Sequence, residues 1–115
     1  MPTPDQELKA RYKVNGGKVR VSVIIGDAQL GRSRVYLDGT RIHDSTNLWK
    51  ALVGSGVEGS LLVVRTVISD VNRHTNRVTA TYVLEGGTTD EQWELSSEVD
   101  QDGEDAYFRA QFELR

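Results

Sequence analysis

The chain has 115 residues, a formal charge of −3 and no cysteine, which fits one domain spanning residues 1–115. The absence of cysteine excludes disulfides, thiolate zinc sites, iron–sulfur clusters and cysteine nucleophiles. Mild acidity without a basic stripe argues against nucleic acid as a partner, and the lack of a long apolar run argues against membrane insertion. We expect a soluble protein, cytoplasmic as the chain stands; an exported form with its signal removed stays open.

The first part of the chain alternates apolar and polar residues, the period expected of half-buried strands. In ELKARYKVN, residues 7–15, the apolar residues occupy even positions, and in KVRVSVIIG, residues 18–26, most occupy odd positions. A two-residue turn at Asn15-Gly16 or Gly16-Gly17 would place both apolar sets on one face. The pattern therefore predicts a hairpin between the first two strands.

A second hairpin is predicted around Asp38-Gly39, in SRVYLDGTRIH. This residue pair is suited to the positive φ angles of a type I′ turn. A two-residue loop at this point sets Val35 opposite Ile42.

Residues 45–53 interrupt the strand pattern. Leu48 and Leu52 are four positions apart, polar residues that can cap a helix stand at the start, and Gly54 can take the left-handed position at the end. The stretch predicts a short helix of about two turns. Its Trp49 would either close one end of the core or stand exposed.

The second half of the chain begins with SLLVVRTVISDV, residues 60–71. This almost continuous apolar run predicts a central strand buried on both faces. The next strand is predicted in RVTATYVLEGG, residues 77–87, and a loop through GTTD brings its even-numbered apolar face into register with Trp93 and Leu95.

A last hairpin is predicted around Asp102-Gly103, again a pair typical of a type I′ turn. The apolar pairs that this turn aligns are Val99 with Ala106, Leu95 with Ala110, and Trp93 with Phe112. All six residues would then share one face, and the last four strands would form a meander.

Up to eight short strands separated by turn signals predict an all-β fold. We expect an antiparallel two-sheet β-sandwich with one short helix near residues 45–53. An immunoglobulin-like arrangement is one architecture of this kind, although the Cys-Trp-Cys spacing of antibody domains is absent. The alternative is a closed antiparallel meander β-barrel.

The stretch DVNRHTN, residues 70–76, places polar side chains at alternate positions, among them Asp70 and Asn72. This alternation is like the start of a calcium-binding EF-hand loop, but Thr75 stands where that loop needs glycine, and strands flank the segment. Asn and Asp side chains commonly bond their own backbone in turns. The stretch therefore predicts a turn between two strands.

The acidic stretch EVDQDGED, residues 98–105, offers a second group of carboxylates. Bound calcium would relieve their mutual repulsion, yet a tight turn at Asp102-Gly103 already accounts for the motif. We predict no metal and no cofactor. If a metal binds, the candidate ligands are Asp70, Asn72, Asp100 and Asp102.

Catalytic arrangements are not apparent in the sequence. His43 and His74 are the only histidines, and no serine lies in a GxSxG elbow. The glycine pairs do not precede the helix that a phosphate-binding loop requires. We predict that the protein is not an enzyme.

Recognition is the function that remains. We predict a non-catalytic binding or assembly module that recognises a protein or glycan partner, or forms a homodimer, through a sheet face, an edge strand or loops. The candidate contact residues are Arg34, Tyr36, Trp49 and Tyr107. The alternative is a carrier of a small apolar ligand. Its β-barrel pocket would be formed by Trp93, Tyr82, Phe108 and Phe112.

Overall fold

The computed structural model describes residues 4–47, 50–72, 74–101 and 103–115. Within these residues the chain forms nine β-strands and no helix. The strands are β1 (Gln6–Tyr12), β2 (Val19–Ile25), β3 (Leu30–Leu37), β4 (Thr40–Thr46), β5 (Ala51–Gly54), β6 (Leu61–Ser69), β7 (Arg77–Glu85), β8 (Glu91–Glu98) and β9 (Asp105–Leu114). A helix long and apolar enough to cross a membrane is absent from the described ranges.

The strands form two sheets that pack face to face. The five-stranded sheet has the order β1-β9-β6-β3-β4, and the four-stranded sheet has the order β5-β2-β7-β8. All neighbouring strands are antiparallel except β1 and β9, which pair in parallel. The predicted all-β sandwich is confirmed. The barrel alternative is wrong, because the edge strands of one sheet do not pair with those of the other.

The helix predicted near residues 45–53 is wrong. The described residues of this stretch belong to β4, to β5 and to the link between them, while Leu48 and Trp49 lie outside the described residues. Asn47 follows β4 with a left-handed φ of 48°, and its side-chain oxygen accepts a 2.8 Å hydrogen bond from the backbone N–H of Gly31. Pairing between strands therefore overrides the local helical spacing.

The hairpin predicted around Asp38-Gly39 is confirmed, with a shift in register. β3 and β4 pair on either side of this turn, but a β-bulge in the pair sets Val35 opposite His43 instead of Ile42. A bulge adds one residue to one strand, so a register counted from the turn alone is displaced beyond it.

The β7–β8 hairpin is also confirmed, and its register sets the even-numbered residues Tyr82 and Ala80 opposite Trp93 and Leu95. The hairpin predicted between β8 and β9 is wrong, because these strands belong to different sheets. Trp93 nevertheless meets Phe112, with ring centroids 4.9 Å apart. The two rings do share the core, but they meet across the sandwich instead of side by side within a sheet.

The first predicted hairpin is wrong for the same reason. β1 lies at the edge of the five-stranded sheet, beside β9, whereas β2 lies in the other sheet, between β5 and β7. The link after β1 and the link before β9 therefore each connect one sheet to the other. The predicted four-stranded meander is wrong too, since β6 pairs with β3 and β9 and not with β7.

The core lies between the sheets and is filled by large side chains. Tyr82, Phe108 and Phe112 are fully buried, and Trp93 packs against them. The hydroxyl of Tyr82 donates a 2.9 Å hydrogen bond to Thr66 Oγ1, which satisfies its polar atom, and burial raises the pKa of this tyrosine. The four aromatic residues named for a carrier pocket thus lie in the packed interior of the sandwich.

Candidate partner-binding face

The outer face of the five-stranded sheet carries side chains in rows that run across the strands. Residues opposite each other in a ladder have neighbouring side chains, so the strand register defines each row. From β4 to β1, the middle row contains Asp44, Arg34, Arg65, Arg109 and Glu7. We call it the arginine row, because arginines occupy its positions on three adjacent strands.

Asp44 balances part of the positive charge at one end of the arginine row. Its carboxylate accepts two hydrogen bonds of 2.9 Å from Arg32 and lies 3.5 Å from Arg34 Nε and 3.8 Å from Arg41 Nη1. The hydrogen bonds from Arg32, together with the three positive charges, hold the pKa of Asp44 below its ordinary value. One carboxylate is thus shared by three arginines, and this part of the face stays positive.

Arg65 stands at the centre of the row and is half-buried. Its guanidinium carbon lies 5.0 Å from the centre of the Tyr36 ring, within the range of a cation–π interaction. Its Nε is buried and lacks a hydrogen-bond partner, and no carboxylate of the described residues forms an ion pair with it. A buried donor without a partner costs free energy, and the arginines on both sides add like-charge repulsion.

A groove of about 580 Å³ lies beside Arg65 on this face. Its lining combines the arginines Arg32, Arg34 and Arg65 with the apolar or aromatic residues Leu30, Val67 and Tyr107. Leu30 is 47% exposed and Val67 42% exposed, so apolar surface stands open to solvent beside the charges. Carboxylates and histidine are absent from the described lining. The groove is therefore suited to holding a ligand that is anionic at one end and apolar at the other.

The structure brings three of the four predicted contact residues together. Arg34, Tyr36 and Tyr107 all line the groove, although β3 and β9 lie far apart in the sequence. Trp49 lies outside the described residues.

Sequence reasoning missed Arg65 and Val67 at the centre of the groove. β6 was predicted to be buried on both faces, and it is indeed a central strand. Its outer face is covered only in part, since Val63 is 8% exposed but Val67 is 42% exposed. A single arginine within an apolar run was the available signal, because a charged side chain at a buried position needs a partner or solvent.

The other sheet offers a smaller hollow of about 210 Å³. Ile24 and Val83 line it together with Lys50 and Glu85, and the last two form an ion pair of 3.1 Å. The charges of this hollow are therefore already paired, in contrast to Arg65 in the groove.

The described metal candidates Asp70, Asn72 and Asp100 lie in two connections that contact each other. Asp70 is buried, and its carboxylate accepts a 2.8 Å hydrogen bond from the side-chain amide of Gln29. The side-chain oxygen of Asn72 accepts a hydrogen bond from the His74 N–H at 3.0 Å, which is the turn geometry expected of this residue type. The turn joins two sheets instead of forming a hairpin. Asp100 is exposed.

The fourth metal candidate, Asp102, lies outside the described residues. Within the described ranges no three His, Cys, Asp or Glu side chains cluster so as to hold a metal ion. The backbone N–H of Asp70 donates to Glu104 O, and Gly103 N donates to Asp70 O, both at 3.0 Å. Backbone hydrogen bonds therefore join the two connections.

We expect millimolar calcium to leave the thermal unfolding midpoint of the protein unchanged. An ion that binds only the folded state must raise this midpoint, whereas Asp70 and Asn72 already bond neighbouring protein groups. Scanning calorimetry with calcium and with equal ionic strength of sodium chloride measures the effect. A calcium-specific rise that Asp100→Asn removes would contradict the prediction.

Comparison of the chain with protein-family models, with curated proteins and with solved structures gives no match. The assignment of a function therefore depends on the geometry and charge of the groove.

Proposed function

We propose that the protein is a non-catalytic binding module that recognises an anionic protein or glycan partner through the outer face of its five-stranded sheet. The proposal rests mainly on the surroundings of Arg65. This residue lies between two other arginines on adjacent strands, and its guanidinium forms no ion pair with a carboxylate of the described residues. An anionic group of a partner would supply the missing counter-charge.

The residues around Arg65 support this role. Arginine and tyrosine are enriched in protein interfaces, because each combines a broad apolar or planar surface with hydrogen-bonding groups. Tyr36 and Tyr107 are half-buried, so little side-chain freedom remains to be lost on binding. The protein as a whole has a formal charge of −3, so the positive charge of this face is local.

The carrier alternative finds no support in the interior of the sandwich. A carrier would need an open apolar space between the sheets, and that space is occupied by the core aromatic residues Tyr82, Phe108 and Phe112. We therefore do not propose it further.

The immunoglobulin-like description is kept as a proposal about architecture alone. Immunoglobulin constant domains divide seven strands between two sheets packed face to face, and this chain divides nine described strands in a similar way. A shared architecture does not identify a partner, so the proposed function does not depend on it.

An NMR titration with two polyanions, polyglutamate and a heparin oligosaccharide, tests the proposal. We expect at least one of them to shift the backbone amide signals of β3, β6 and β9 and the Nε–H signal of Arg65, and high salt to suppress the shifts. Arg65→Gln should weaken the binding about tenfold, as expected for one charge-assisted contact.

Lys9→Gln is the matched control for this titration. It removes one positive charge from the same face, at the edge strand β1, where the Lys9 side chain is 67% exposed and bridges to Glu7. Its effect on affinity should stay below about twofold, as expected of an exposed rim charge. Shifts that map to the other sheet, or equal losses in both variants, would contradict the proposal.

A further inference from the structure

The spacing of charge and apolar surface along β6 points to one class of partner. Arg65 and Val67 are two positions apart on the same strand, so their side chains leave the same face about 6.6 Å apart. The row next to the arginine row contains Arg32, Val67 and Tyr107 on β3, β6 and β9. The arginine row and this partly apolar row are therefore neighbours. The distance between them equals the two-residue repeat of an extended chain.

We infer that the groove binds an extended segment of another protein, in which an acidic residue is separated from an apolar residue by one intervening residue. Side chains i and i+2 of an extended chain point to the same side at the same spacing of about 6.6 Å. The carboxylate then reaches Arg65 and Arg34, while the apolar side chain rests on Val67 and the ring of Tyr107. This inference rests on the proposed function, because it specifies the ligand of the same groove.

Glycans fit the groove less well than such a peptide. Sugar hydroxyls need side chains that supply many hydrogen-bond acceptors as well as donors, yet the described lining contains no Asn, Gln, Asp or Glu side chain. Its non-aromatic hydroxyls are those of Thr46 and Ser69, and Ser69 already donates to Asp105 at 2.7 Å. Sugar hydroxyls placed over Val67 and Leu30 would lose hydrogen bonds to water without replacement.

A second copy of the chain is also disfavoured as the occupant. A symmetric dimer uses the same surface on both subunits. If this face formed the interface, the arginine rows of the two copies would meet, and like charges facing each other across an interface are costly.

Short synthetic peptides, blocked at both ends and labelled with a fluorophore, test the inference by anisotropy. The first peptide contains glutamate, threonine and leucine in that order within a serine-rich background. The second has the glutamate and leucine adjacent, and the third replaces glutamate by glutamine. We expect the first peptide to bind at least about tenfold more tightly than either of the others.

Variants of the protein assign the two contacts. Arg65→Gln should reduce affinity for the first peptide about tenfold, and Val67→Thr, which replaces a methyl group by a hydroxyl of similar size, should reduce it several-fold. Arg11→Gln is the control, because Arg11 is exposed on β1 beside Glu113 and lies outside the groove. Far-UV circular dichroism and urea unfolding confirm that each variant is folded.

The outcomes separate the inference from the proposed function. Equal affinity for the three peptides, or binding of a heparin oligosaccharide but of no peptide, would overturn the peptide inference and leave an anion-binding groove in place. A doubled solution mass, together with a loss of peptide binding at the protein concentrations that form the dimer, would overturn it in favour of a second copy. If neither the peptides nor polyanions perturb the groove, both the inference and the proposed function are wrong.

Discussion

Gly86→Ala is expected to lower the free energy of unfolding by about 4 kcal/mol or more. Gly86 lies in the turn after β7 with a φ of +91°. A Cβ atom at this position would stand 1.9 Å from the carbonyl oxygen of Lys18 and 3.4 Å from Val19 Cα. Both are backbone atoms, so no side-chain rotation relieves the clash.

The backbone around Gly86 has little room to move. The adjoining residues of this turn hold the segment that leaves β1, because Thr88 N donates to Lys13 O at 3.0 Å and the Tyr12 hydroxyl donates to Thr89 O at 2.7 Å. Displacing the turn would therefore disturb the contact between the two sheets as well.

Gly16→Ala is the matched control for this clash. Gly16 has a similar φ of +85°, but no atom lies within 4 Å of the position that its Cβ would occupy. The free energy of unfolding of this control should fall by only about 1 kcal/mol, the cost of placing alanine in a left-handed conformation. Urea unfolding followed by tryptophan fluorescence measures both variants, and equal losses would contradict the steric explanation. If Gly86→Ala is not recovered as a folded protein while Gly16→Ala is, the prediction also holds.

Gln29→Leu is expected to lower the free energy of unfolding by about 3 kcal/mol. Gln29 is 6% exposed, and its side chain joins two segments that are distant in sequence. Its oxygen accepts hydrogen bonds from Val71 N at 2.7 Å and Asn72 N at 2.8 Å. Its nitrogen donates to Asp70 Oδ1 at 2.8 Å and to Arg77 O at 3.0 Å. Leucine has a similar volume but replaces none of these bonds.

Asn15→Ala provides the control for the loss of Gln29. Asn15 also joins two backbone segments, since it accepts from Gly17 N and donates to Gly87 O. Both bonds are exposed, so water replaces them, and we expect a loss below about 1 kcal/mol. Urea unfolding at neutral pH compares the variants. If Gln29→Leu lowers the free energy of unfolding no more than Asn15→Ala does, then the burial of the Gln29 hydrogen bonds does not add to their contribution to stability.

The variant Gln29→Glu adds a test by pH. One oxygen of the new carboxylate can still accept from Val71 N and Asn72 N. The other oxygen replaces the amide nitrogen that lay 2.8 Å from Asp70 Oδ1, so two negatively charged carboxylates meet at neutral pH. Acidification lets the pair share a proton, which restores the missing donor. The unfolded chain has an ordinary glutamate pKa of about 4.3. Above this pH the unfolded variant has released the proton, whereas the folded variant still binds it between the two carboxyls.

The sign of this pH effect follows from proton linkage. Because the folded variant binds more protons than its unfolded chain between pH 7 and about pH 4, its stability relative to the native protein should rise as the pH falls through this range. Urea unfolding at a series of pH values measures the difference. A deficit that does not change with pH would show that the two carboxyls do not interact.

Part of the candidate site could be predicted from the sequence. Arg34, Tyr36 and Tyr107 were predicted as contact residues, and all three line the groove. Arg65 and Val67 were not, because an apolar run such as that of β6 is typical of burial on both faces. The arginine row itself could not be foreseen, since it depends on the register among β3, β6 and β9.

The sequence by itself determined where most strands lie and which side chains face the core, because the alternation of apolar and polar residues is a local property with a period of two. Only the tertiary structure decided which strands are neighbours. Apolar residues such as Trp93 and Phe112 point into the core equally well when their strands pair within a sheet or oppose each other across the sandwich. The choice between these arrangements, and with it the assembly of the arginine row, depends on contacts between residues far apart in the chain.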